Sequence, residues 1–72
     1  MKVEVHVLTH NLIVNFPCRL NIGDAIFEHV FPDAIKKDIL EAYGVAPNMV
    51  VTNSWFTKVD EEIIQGVQLE IE

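Results

Sequence analysis

Cysteine is almost missing: Cys18 stands alone. A lone thiol cannot close an intramolecular disulfide, so the disulfide framework of small secreted domains is excluded and a reducing, cytoplasmic setting fits best. Glycine is equally sparse, and Gly23, Gly44 and Gly66 lie too far apart to cradle a phosphate. No P-loop, dinucleotide fingerprint, nucleophile elbow or calcium loop can be assembled from them. Positive charge is scarce too. Five Lys and Arg against eleven Asp and Glu leave a formal charge of −6, which repels a phosphate backbone and disfavours nucleic acid as a partner. No apolar run approaches the roughly 20 residues that span a bilayer. Met1 leads straight into alternating residues, so neither a secretion nor a membrane signal is expected. Repeats, low-complexity tracts and Pro/Gly/Ser linkers are also missing, which leaves residues 1–72 as one domain.

What is present is apolar. Half of the 72 residues are hydrophobic and the mean hydropathy is +0.25, well above the composition of disordered chains. The chain should fold. A domain this small buries only about 60% of its unfolded surface, so its stability margin is thin and support from a partner is plausible.

Residues 2–8 alternate, with Val3, Val5 and Val7 on one side and Lys2, Glu4 and His6 on the other, the pattern of a half-buried strand. Thr9, His10 and Asn11 suit a turn, and the β-branched run Leu12-Ile13-Val14-Asn15-Phe16 predicts the second arm of a hairpin. Asn21 is placed to cap a helix, with Ile22, Ala25, Ile26 and Val30 on its inward face. Phe31-Pro32 breaks that helix. It resumes at Asp33 with Ile35, Ile39, Leu40 and Tyr43 inward, an Asp33–Lys37 pair at i+4, and Gly44 as its stop. After Val45, Ala46 and Pro47, a strand is expected over 49–52, a turn at Asn53-Ser54, a return strand over 55–59, a tight turn over 60–64, and a last strand alternating Val67, Leu69 and Ile71. The fold class is α+β: a mixed sheet of four to five strands packed on one main helix.

The run Val59-Asp60-Glu61-Glu62-Ile63-Ile64-Gln65-Gly66-Val67-Gln68-Leu69-Glu70-Ile71 resembles, in register, the second half of a pattern that closes TGS domains and bacterial sulfur-carrier proteins, V-N-G-x-x-V-x-L-D-x-x-L-x-D-G-D-x-V-E-I. With the element order, this makes the chain similar to the β-grasp (ubiquitin-like) superfamily, in which a mixed sheet cradles one principal helix. The resemblance implies an apolar plug at Ile63 and a glycine turn at Gly66. Gln65 and Val67 stand where two acidic residues usually flank that glycine. Carriers and modifiers of this superfamily act through a free Gly-Gly terminus, whereas this chain ends Leu69-Glu70-Ile71-Glu72. With that ending, the resemblance implies the other common use of such domains, binding a protein through the exposed sheet face.

His6, His10, His29 and Cys18 lack the spacing of a metal site. Cys18 reads as a buried, inert thiol. No catalytic residue, metal or cofactor is therefore expected. Trp55 and Phe56 point to opposite faces of an extended segment, so at most one enters the core easily and the other is a candidate interaction anchor. On a straight strand Met49 and Val51 share the side of Trp55. Asp60, Glu61 and Glu62, with nothing basic after Lys58, add an acidic edge that would steer a basic partner. The expected function is a non-enzymatic, cytoplasmic accessory or regulatory subunit that binds a protein partner, or a second copy of itself. The interaction residues would be Met49, Val51, Trp55, Phe56, Asp60, Glu61 and Glu62. Two alternatives remain open: an acidic inhibitor imitating nucleic-acid charge, and a sulfur-carrier-like protein without its Gly-Gly terminus.

Overall fold

The computed structural model describes residues 1–44 and 48–71; the connection through Val45, Ala46 and Pro47 and the terminal Glu72 lie outside the described residues. Among the described residues, five strands and one α-helix are arranged as an α+β fold: β1 (Lys2–Val7), β2 (His10–Asn15), β3 (Ala25–Ile26), α1 (Asp33–Tyr43), β4 (Met49–Val59) and β5 (Glu62–Ile71). The strands form one mixed sheet in the order β2-β1-β5-β4-β3. The β1–β5 pair at its centre is parallel, and the other pairings are antiparallel.

The alternation in β1 becomes the centre of the core. Val3, Val5 and Val7 are buried on the front face of the sheet, beside Val67 and Leu69 of β5 and Met49 and Val51 of β4. Ile35 and Ile39, one helical turn apart on α1, press onto them together with Phe31, Ile26 and Leu20. The helix begins where the carbonyl of Pro32 accepts from the amides of Ile35 and Lys36. It ends at Gly44, whose φ of +83° lets its amide turn back to the Leu40 carbonyl at 2.7 Å. Leu40 and Tyr43, expected inward, are exposed. Asp33 pairs with Lys36 at 3.1 Å rather than with Lys37, which faces Glu41 at 3.9 Å.

The helix expected from Asn21 does not form before Pro32. Gly23 adopts φ +96°, and the amide of Asn21 donates to Asp24 Oδ2 at 2.7 Å while the amide of Asp24 donates to the Asn21 carbonyl at 3.0 Å. The result is a turn. Gly23 and Asp24 then exchange hydrogen bonds with Val51 at 2.8 and 3.0 Å, which brings Ala25 and Ile26 into the sheet against Val50 and Met49. A 3₁₀ turn at Glu28–Val30 leads to α1. Backbone pairing along β4 thus outcompetes the helical spacing of the apolar residues.

Two hairpins differ from expectation. The first turns on Leu8 and Thr9, with His10 already paired to Val7. In the C-terminal half, Asn53-Ser54 is not a turn: β4 runs unbroken over eleven residues, with a register irregularity between Val51 and Asn53 that leaves Thr52 as an extra, bulged residue. The chain reverses instead at Asp60 and Glu61, both at positive φ (+50° and +67°), the backbone of a two-residue primed turn.

Candidate protein-interaction surface

Helix and strand rise unequally per residue, and the site follows from that difference. An eleven-residue helix is about 16 Å long, whereas the ten residues of β5 extend about 33 Å. One helix cannot cover the front face, and the end nearest the β4–β5 turn is left open. On β5 the front-facing side chains are Leu69, Val67, Gln65 and Ile63, in order toward the turn. The first two are buried in the core, Gln65 lies at the margin, and Ile63 is 73% exposed. Across from them on β4, the bulge at Thr52 shifts the alternation by one residue. Phe56 rather than Trp55 therefore follows Met49 and Val51 onto the front face, where it pairs with Gln65 and is 62% exposed. Extending the β1–β5 register two residues past the Val3–Gln65 pair places exposed Met1 next to Ile63. Met1, Ile63 and Phe56 thus form a slanting apolar row on one face, open to solvent: Lys58 stands directly across from Ile63, and Phe56 lies diagonally from it beside Gln65.

The margin is closed by Gln65, a polar side chain only 1% exposed. Its carbonyl oxygen accepts from the Leu20 amide at 3.0 Å, and its amide nitrogen donates to the Leu20 carbonyl at 2.6 Å and to Ser54 Oγ at 2.9 Å. The side chain therefore behaves as a short piece of strand, clamping the crossing segment 16–24 to the sheet. Leu20 is pressed into the core, and Arg19 beside it lies over the Phe56 ring, 5.1 Å from its centroid.

Beyond the row is the turn. Glu61 faces Lys58 at 3.1 Å and Glu62 faces Lys2 at 3.7 Å, while Asp60 has no ion-pair partner among the described residues. These pairs are exposed and worth little energetically. They do neutralise most of the charge that the sequence alone concentrates here, since Lys2 arrives from the far end of the chain. Glu70, exposed near the opposite end of β5, is not part of this cluster.

The back face of the sheet has no helix over it among the described residues. Trp55 lies half-buried there against Gly66: a Cβ on that glycine would sit 2.3 Å from Trp55 Nε1. Gly66 is mid-strand, not in a turn, and its role is to let the indole approach the backbone. His6 meets Trp55 edge-on with ring centroids 5.1 Å apart, and its Nε2 is 2.6 Å from Glu4 Oε1. His10 pairs with Asp38 at 2.7 Å and His29 stacks on Phe27, so each histidine has a separate neighbour. Cys18, expected buried, is exposed.

No family model, curated protein or solved structure matches the chain. Of the seven residues expected to make contacts, Met49 and Val51 are buried in the core, where Ile35 and Ile39 of α1 cover their face, and the bulge puts Trp55 on the opposite one. Trp55 is on the back face, whereas Phe56 is on the front; Asp60 and Glu61 form the turn at the open end, and Glu62 turns to the back face beside Lys2. Ile63, expected as a buried plug, is corrected to the most exposed large apolar side chain of this end, and Ile64 takes the buried place at 6% on the back face. Arg19 and Gln65 were not anticipated at the site. The signal for Ile63 lies in counting back by twos from Leu69, which puts it on the front face beyond the reach of an eleven-residue helix.

No helix among the described residues is long and apolar enough to cross a membrane.

Proposed function

We propose that the chain is a non-enzymatic protein-interaction module with a β-grasp-like fold, an accessory or regulatory subunit of the cytoplasm that grips a protein partner by the open end of its sheet. The observation that carries this reading is the exposure of Phe56 and Ile63, diagonal neighbours on one face of the β4–β5 hairpin, with Arg19 over the Phe56 ring. Large apolar side chains side by side in water, held on a hairpin and rimmed by charge, are the composition of an interface centre with its polar border. The β-grasp assignment is supported by the mixed sheet with one helix across a face. The partner contributes an aliphatic or aromatic side chain to cover the row and a basic one to meet Asp60. Phosphate mimicry is less well supported, because Lys58 and Lys2 offset the acids of the turn.

Affinity capture from the source cytoplasm, with the retained proteins quantified, tests the proposal. Phe56→Ser combined with Ile63→Ser should lower capture of a specific protein by more than about 30-fold, the equivalent of losing one hot spot of about 2 kcal/mol. Leu40→Ser, on the exposed outer surface of α1, should leave capture intact, and circular dichroism should be native for both. Equal retention of every protein by the double variant and the wild type would refute the proposal.

A further inference from the structure

One edge of the sheet is unguarded. β3, at one side, is only two residues long, and shortness is itself a protection. β2, at the other, pairs with β1 over six residues without a bulge, and no strand lies on its outer side among the described residues. His10–Asn15 contains no proline, lysine, arginine or carboxylate, so none of the usual devices against edge pairing is present. In a chain of net charge −6, this strand offers a second copy an edge that carries no carboxylate of its own.

The backbone fixes which groups are available. The amide of Phe16 donates to the Met1 carbonyl at 2.8 Å, so by the alternation of an antiparallel ladder His10, Leu12 and Val14 also direct their amides and carbonyls toward β1. Asn11, Ile13 and Asn15 direct theirs outward. The sequence over these positions, Asn-Leu-Ile-Val-Asn, is close to a palindrome centred on Ile13. Antiparallel pairing about a two-fold axis at Ile13 sets Ile13 against its own copy, Leu12 against Val14 and Asn11 against Asn15. Every pair then joins like with like, and all three outward residues are used. Centring on Leu12 or Val14 instead sets an asparagine against Ile13. Ile13, on the back face and 44% exposed, gains cover only in the first register.

We infer that two copies of the chain associate through β2, antiparallel and two-fold about Ile13, to continue the sheet from one protomer into the next. This interface lies on a different part of the molecule from the Phe56–Ile63 row, so partner binding and self-association are separable.

Sedimentation equilibrium across a concentration series tests the inference. The wild type should rise from 8.2 kDa toward twice that mass. Ile13→Lys should stay at the mass of one copy, because like charges would meet at the axis, while the new lysine is paired in register with Glu4 in the monomer. Register is tested independently of that variant's folding. In a Cys18→Ser background, Ile13→Cys should cross-link under mild oxidation. Asn11→Cys should not, since residues 11 of the two copies would be about 14 Å apart. Phe56→Ser with Ile63→Ser should self-associate like the wild type. A wild type that remains at one-copy mass, equal cross-linking of Asn11→Cys and Ile13→Cys, or loss of self-association in the Phe56/Ile63 double variant would overturn the inference.

Discussion

Replacing Gln65 by leucine is expected to cost about 3 kcal/mol, although leucine is the more hydrophobic residue and the site is buried. The change leaves the Leu20 amide and carbonyl without the partners they now have at 3.0 and 2.6 Å. Each orphaned buried group costs about 1–3 kcal/mol, and the gain from a larger apolar side chain offsets only part of that. For a domain whose total stability is on the order of 5–10 kcal/mol, this is a large fraction. Gln65→Glu should also destabilise. A carboxylate cannot donate to the Leu20 carbonyl or to Ser54, so the acidic residue that the TGS-like pattern has before its glycine is incompatible with the clamp of this chain. Urea denaturation monitored by circular dichroism reads both effects. A Gln65→Leu midpoint equal to that of the wild type would show that the clamp contributes nothing. Because Arg19 adjoins Leu20, loss of the clamp also frees the guanidinium from Phe56, which links this buried amide to the proposed interaction surface.

The second large effect is conditional. Gly66→Ala should destabilise the wild type by about 1–3 kcal/mol, since the new methyl would occupy space within 2.5 Å of two indole atoms of Trp55 and the ring would have to lift off the strand. Trp55 is the only tryptophan, so its fluorescence should shift to longer wavelength as it enters water. In a Trp55→Ala background the same substitution should reverse sign and stabilise by about 0.5–1 kcal/mol, because alanine in a strand costs less backbone entropy than glycine. The coupling between the two positions follows from a double-mutant cycle. Additive effects with unchanged emission would mean that the indole does not rest on Gly66.

Where one physical preference dominates, the sequence is a sufficient guide. Val3, Val5 and Val7 define β1 because alternation leaves no other arrangement for three β-branched residues, and the mixed sheet with one main helix follows from the order of such segments. The sequence pattern misleads where two preferences compete. Ile22, Ala25 and Ile26 have helical spacing, but Gly23 at positive φ and the Asp24 side chain make a turn whose backbone then joins the sheet at Val51. A bulge is invisible to period-two counting, so the one at Thr52 moved Met49 and Val51 away from the face of Trp55 and placed Phe56 on theirs. Ile63 and Ile64 are adjacent and chemically identical. The alternation back from Leu69 turns Ile63 forward and Ile64 to the back, the tight turn at Asp60 and Glu61 preserves that phase to the end of the strand, and Gly66, expected as a turn, serves the contact with Trp55 instead.

The proposed surface rests on that choice between neighbouring isoleucines, and methyl-resolved NMR with a soluble paramagnetic probe measures it directly. The side-chain methyls of Ile63 should broaden strongly, like those of a fully hydrated residue, while those of Ile64 stay sharp. A protected Ile63 beside a broadened Ile64 would put the hairpin in the opposite register, bury the apolar row, and contradict the account.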